Sequence, residues 1–352
     1  MRAVVIRSFG EPAVLNIEQA SIPTPPRGDV LLRVGAVEVS PIRDVATRFG
    51  KHPFSAKVSF PHVLGGDFAG VVADVGFGVD RALIGRRVAV RGARYCRSCP
   101  ACHAGLDHQC ADVRMLGIDL WGSYAEYVCA PAENLHPLPD SIDMVEAAAL
   151  AATGPIALAQ WYSAGLTADS TVLIPGITGA LATTLATLAT ALGARVIGLS
   201  RRPDAAPAAL GVVTLDSRRE DLADALTEVA GDNGVTAVID NVADPATFDR
   251  YFRVLSPGAR VVISGAISST QLPVLRVPAH ALYVRSITLQ GIRTANSSVV
   301  RDFWERVTKN KFRLPSSVIH EGTLDSVAKV HAEISAGHTV GHRVLRVSEC
   351  DR

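Results

Sequence analysis

The sequence predicts an α/β chain of two domains, a β-rich one followed by a doubly wound parallel sheet. Three observations carry this. About the first 150 residues hold β-branched runs set between Pro- and Gly-rich turns. From about residue 154 short apolar runs alternate with helical stretches, the pattern of βαβ units. Between the first such run and the first such helix stands Pro175-Gly176-Ile177-Thr178-Gly179-Ala180-Leu181-Ala182, a turn in which glycines allow close backbone approach.

Length and composition agree. A chain of 352 residues is long for one core and fits two domains of ordinary size. Hydrophobic residues make up 48%, as in soluble globular proteins. A net charge of +1 and the lack of a basic run argue against nucleic acid as a partner. The apolar stretches 145–156 and 179–192 are broken by Thr, Gly or Pro and fall short of a bilayer span, so no membrane partner is expected. Six cysteines, with no charged-then-apolar leader over residues 1–10, read as an intracellular protein, expected in the cytoplasm.

In chain order, residues 3–6, 30–39 and 68–75 read as strands, separated by turns such as 23–28. Six further strands are expected at 171–174, 195–199, 212–215, 236–239, 259–264 and 287–290, with helices at 181–192, 221–230 and 246–255. That is the complement of a dinucleotide-binding sheet. A helix at 299–308, a strand near Val318, a helix at 324–336 and a strand at 343–347 follow. This tail is too small to stand alone and is expected to pack back on the N-terminal domain. The predicted division is 1–153, 154–292 and 293–352.

Cys96, Cys99, Cys102 and Cys110 stand in the spacing C-x2-C-x2-C-x7-C, within a lobe at about 91–115. Four thiolates close a tetrahedral zinc shell and leave no open position, so one structural Zn2+ per chain is expected. A redox or disulfide cluster is the alternative. Cys129 and Cys350 read as ordinary thiols.

The turn after strand 171–174 reads G-x-x-G-x-x-A, with Ala182 small enough for helix–strand contact. With a strand before it, a helix after it and a second strand about twenty residues on, it reads as a dinucleotide site rather than a plain strand-to-helix turn. The second strand ends in Ser200-Arg201-Arg202, where an NAD site expects a carboxylate. Arginine binds a 2′-phosphate and Ser donates to it, so NADP(H) is the expected cofactor. A solvated basic loop is the bland alternative.

Taken with Gly65-Gly66-Asp67-Phe68-Ala69-Gly70-Val71-Val72 and Gly122-Ser123-Tyr124-Ala125-Glu126-Tyr127-Val128, these motifs resemble the medium-chain dehydrogenase/reductase superfamily over essentially the whole chain. The resemblance implies a GroES-like β-rich catalytic domain with a Rossmann domain inserted before its C-terminal segment. Zinc alcohol dehydrogenases of that family hold a catalytic zinc through Cys, His and Cys. By resemblance those places fall on Ser40, Gly66 and about Ala152, and the proton-relay places on Ile42 and Val45. None of these can hold a metal. Pro41 and Asp67 instead resemble the zinc-independent quinone oxidoreductase and enoyl reductase branch. Ser40 and Arg43 depart from its N-P-x-D pattern, and that branch generally lacks the cysteine lobe.

The expected activity is NADPH-dependent reduction of an activated C=C bond or a quinone, a small-molecule substrate, with Ser40 and Arg43 as candidate catalytic donors. A zinc-independent carbonyl reductase or alcohol dehydrogenase, a biosynthetic reductase/cyclase, and a non-catalytic NADPH-binding protein are the alternatives. The resemblance adds Thr153, Asn241, Gly265, Ala266, Ile267, Ile292, Arg293 and Arg343 to the cofactor contacts. It also implies a homodimer or homotetramer, the dimer pairing through the sixth strand. Tyr124 and Tyr127 are expected to pack, and His52, His62, His103 and His108 to be solvated or satisfied in the core.

Overall fold

The computed structural model describes residues 1–266, 273–309, 311–337 and 339–349, and the chain divides into two compact units. Met1–Ala152 and Ile319–Arg352 form one, and Thr153–Val318 the other.

The hub of the first unit is the strand Asp29–Glu38, in which nine of ten residues are buried. A strand covered on both faces needs no polar alternation, which explains the apolar run of its sequence. It pairs antiparallel with Asp67–Val75, Tyr127–Pro131 and His342–Arg346. Arg87–Arg91 and Leu135–Pro137 extend the sheet on one side, and Ile319–Thr323 closes the other. Register places Leu345, Val37, Phe68 and Val90 in one row across four strands, each fully buried. Burying each of these side chains stabilises the sheet by about 1.5–3 kcal/mol. Truncating Phe68 to alanine would cost about 3–5 kcal/mol. This row fixes the ends of two strands, so that Glu38 closes one and Asp67 opens its neighbour.

Beyond Glu38 the chain turns at Ser40 into a π-helical turn, Pro41–Val45, and then the short helix Ala46–Arg48. Ser40 Oγ accepts the N–H of Arg43 at 3.2 Å, capping the turn, and Pro41 at its first position has no N–H to leave unpaired.

In the second unit six parallel strands run in the order Val213–Asp216, Arg195–Ser200, Thr171–Pro175, Val235–Asp240, Leu255–Ile263, Thr288–Gly291. The chain reverses direction across the sheet beside Thr171–Pro175, and in such sheets ligands bind at the strand ends there. All five residues of Thr171–Pro175 are buried, and Leu173, Ile197, Val238 and Phe248 pack together in the core.

One boundary needs correction. The sequence suggests that the second unit ends near 292, whereas it extends to Val318. The helix Ser297–Thr308 belongs to it because the Phe303 ring lies over Gly154, where a β-carbon would come within 2.1 Å of the ring. Among the described residues no helix is long and apolar enough to cross a membrane.

Candidate active site and cofactor site

In the first unit the turn Pro41–Val45 brings Arg43 to the head of the strand Asp67–Val75. Arg43 Nη1 donates to Asp67 Oδ2 at 2.5 Å, and both side chains are largely buried, at 18% and 6% exposure. Gly66 makes the room. A β-carbon there would lie 1.9 Å from Arg43 Nη1. Burial opposes the guanidinium's charge, but Asp67 and Asp44 outweigh it and the pKa of Arg43 is raised. The cation is therefore permanent, and its remaining N–H donors are those of a planar fork.

Asp44 ties this turn to the next segment. Its Oδ2 accepts the N–H of Ser40 at 2.8 Å and its Oδ1 accepts the N–H of Gly65 at 3.2 Å. Burial pushes its carboxyl up to about 7, against the pull of Arg43 and the two amides. Behind the Arg43–Asp67 pair, Glu38 Oε1 meets His342 Nδ1 at 2.6 Å, and burial raises Glu38. Asp67 was not foreseen as a site on its own; its role appears only once Arg43 is seen against it. Ser40 lies at the same turn, its oxygen engaged as the cap.

The four cysteines converge: their Sγ atoms all lie within 4.8 Å of one another. Cys96 and Cys102 are 3.9 Å apart and Cys110 and Cys96 3.5 Å. Four sulfurs at zinc-bond length from one centre stand about 3.8 Å apart, so this donor set fits a closed zinc shell. The N–H of Ser98 holds the Cys96 thiol down to about 6, while burial pushes Cys102 up to about 12. A divalent cation held by these four sulfurs would supply the charge that lets all of them ionise. Cys129 stands apart, half-buried, with its thiol pushed up to about 11 by burial, and Cys350 lies outside the described residues.

In the second unit Gly176 adopts φ +73°, a left-handed conformation that favours glycine. Its N–H and that of Ile177 both bond Leu199 O, at 2.9 and 3.0 Å. Ile177 is fully buried against Gly198, where a β-carbon would come within 2.8 Å of it, so its side chain serves the fold. Thr178 and Gly179 then lead into the helix Ala180–Ala191, capped by no side chain. The N–H groups of Ala180 and Leu181 stand at its start, and backbone N–H groups at a helix start can bind an anion. Thr153 packs beside this helix, its Oγ1 3.2 Å from that of Thr184.

At the end of the strand Arg195–Ser200, the buried Ser200 Oγ accepts the N–H of Arg202 at 3.0 Å, and Arg201 and Arg202 are exposed. Arg218 was missed at the sequence level. It holds Asp216, Ser200's partner in register, through Nη2–Oδ2 at 2.8 Å and bonds Arg201 O at 2.7 Å.

The family described as "Alcohol dehydrogenase GroES-like domain" matches residues 26–140, and that described as "Zinc-binding dehydrogenase" matches 180–309. An NAD-dependent alcohol dehydrogenase of Saccharolobus solfataricus is 31% identical over 274 residues, 75% of this chain and 78% of that protein. The chain belongs to the medium-chain dehydrogenase/reductase superfamily. A quinone oxidoreductase of Rattus norvegicus is 27% identical over 77% of this chain and 75% of its own. The crystal structure of a zinc-binding dehydrogenase from Sinorhizobium meliloti, bound to NADP, has TM-score 0.86 and 25% identity, covering 98% of both chains.

Asn241 Oδ1 accepts from Gln160 Nε2 at 2.7 Å and from Ser264 Oγ at 2.8 Å. Gly265 lies where a β-carbon would strike Asn241 O at 2.2 Å, and Ala266 next to it is exposed. Ile267 lies outside the described residues. Ile292 bonds Ile263 O through its N–H at 3.0 Å, and Arg293 is exposed beside it. These stand at or just beyond strand C-terminal ends in the second unit. Arg343 lies in the first unit, in the strand His342–Arg346, with its Nε 3.8 Å from Glu333 Oε2.

Proposed function

We propose that this medium-chain oxidoreductase reduces an activated C=C bond or a quinone with NADPH, and that the Arg43 guanidinium does the work of an electrophile. The observation that carries the reading is Arg43 Nη1 held on Asp67 Oδ2 in the volume Gly66 leaves open. By family resemblance Ser40, Gly66 and Ala152 offer no thiolate or imidazole at the catalytic-zinc places. When bound, the nicotinamide cofactor supplies a hydride. Negative charge then develops on an enolate or hydroquinone oxygen, and Arg43 stabilises it by charge-assisted hydrogen bonds. An arginine is too weak an acid to protonate that oxygen, so the completing proton comes from water. Enolates and hydroquinone anions are less basic than alkoxides, which suits a donor weaker than a Lewis-acidic metal. Similarity to the rat quinone oxidoreductase supports the substrate class.

For the cofactor, Ser200, Arg201 and Arg202 support NADPH, as does likeness to an NADP-bound structure. The strand Thr288–Gly291 is exposed along its whole length, with Leu289 39% and Tyr283 70% exposed nearby, which supports pairing of two copies along this edge. Similarity to an alcohol dehydrogenase favours one second reading, zinc-independent carbonyl reduction. An NADPH-oxidation screen over quinones, enones, enoyl thioesters and aldehydes, with NADH in parallel, separates the two. Turnover confined to aldehydes would sink the first reading, and preference for NADH would sink the cofactor assignment.

A further inference from the structure

The chain leaves the helix Ala46–Arg48 through a loop that folds back on it. The N–H groups of Lys51 and His52 both bond Ala46 O, at 2.8 and 3.2 Å, and the N–H of Ala46 in turn bonds Arg43 O. The loop holding His52 is thereby hooked onto the turn that carries Arg43. His52 Nδ1 accepts the N–H of Phe54 at 3.2 Å. A ring nitrogen that accepts carries no proton, so in the neutral ring the proton sits on Nε2. The ring is half-buried, tilted against Phe54 with centroids 5.6 Å apart. The Phe54 N–H engages Nδ1 and so leaves the proton on Nε2.

The charges acting on the ring are Arg43, itself paired with Asp67 and beside Asp44, and Asp119, which lies 3.4 Å from Lys57. Burial first, and then Arg43, hold the ring down at about 4 against Asp119, so it is neutral at physiological pH. A neutral imidazole can polarise a carbonyl as a hydrogen-bond donor without giving up its proton.

We propose that His52 is a catalytic residue, its Nε2–H donating a hydrogen bond to the same developing oxyanion that Arg43 stabilises. This rests on the reductase reading above. In the step, hydride adds to the β-carbon of an enone and the C=C electron pair shifts to form the enolate. Arg43 and His52 hold that oxygen, and water delivers the proton that completes the product. His52 begins and ends the step neutral.

The test is steady-state NADPH oxidation by the full chain with cyclohexenone and benzoquinone, comparing His52→Ala, His52→Gln and Arg43→Gln. Removing the donor in His52→Ala is expected to lower kcat about 10²-fold. KM changes little, because the bond forms mainly in the transition state. His52→Gln retains an N–H donor and restores most of the loss. Wild type and His52→Gln share one pH–kcat profile between about pH 5.5 and 8. Wild-type kcat in His52→Ala alongside an impaired Arg43→Gln overturns the His52 assignment alone. The same follows if His52→Gln is as poor as His52→Ala, or if an inflection near pH 6 vanishes with the ring. An unimpaired Arg43→Gln overturns the underlying reading.

Discussion

Arg43 Nη1 occupies the place a β-carbon on Gly66 would need, 1.9 Å away. The glycine and the arginine are therefore two halves of one substitution, 23 positions apart in sequence. Gly66→Ala must drive the guanidinium off Asp67 without removing any charge. The expected result is a kcat about 10²-fold lower, close to that of Arg43→Gln, with an unchanged far-ultraviolet circular dichroism spectrum. Retention of wild-type kcat would show that the position of the guanidinium is immaterial.

Asp67 completes the pair. Removing the carboxylate by Asp67→Ala leaves a buried cation unpaired, which typically costs about 3–5 kcal/mol. Urea denaturation should show a lowered midpoint at constant slope. A midpoint equal to wild type would mean that Arg43 finds another partner at no cost.

Asp44 gives a pH signature. Its carboxyl stands at about 7 in the folded chain against 3.8 in the reference state. The folded state thus keeps a proton that the unfolded chain has lost, so the stability contribution is complete below 3.8 and declines as pH rises to about 7. Asp44→Asn should flatten this part of the profile when melting temperature is followed across that range. A wild-type profile in the variant would contradict the assignment.

The proposed NADPH preference is tested through Arg201 and Arg202. Losing one charge-assisted contact to a 2′-phosphate typically costs about 1.5–3 kcal/mol. Each alanine variant should therefore raise KM for NADPH roughly 10- to 100-fold and leave KM for NADH unchanged. Equal changes for both cofactors would place these arginines elsewhere in the mechanism.

The four-cysteine lobe should hold one zinc per chain by metal analysis, and Cys110→Ser should lower that number and the melting temperature together. Two zinc ions, or none, would break the assignment.

Much of the fold was legible because it is written in local patterns. The apolar runs of the second unit and its glycine turn give the doubly wound sheet, and the C-x2-C-x2-C-x7-C spacing gives the metal lobe. What could not be read lies in contacts between distant segments. The helix Ser297–Thr308 has the same amphipathic pattern whichever unit it joins, and only Phe303 over Gly154 decides the matter. Arg43 was legible as a candidate at the end of a strand, but its partner Asp67 stands 24 residues on and carries no sign of the pairing. His52 looked like any half-exposed histidine until Phe54 fixed its tautomer.

The central claim is that Arg43, seated in the space left by Gly66, is the electrophile of the reaction. A double-mutant cycle of Arg43→Gln and Gly66→Ala, read as kcat for cyclohexenone at saturating NADPH, tests it most directly. If both act through one guanidinium, the double variant is no slower than either single, a coupling of about 2.7 kcal/mol for 10²-fold effects. Effects that multiply, or an Arg43→Gln enzyme as fast as wild type, would contradict it.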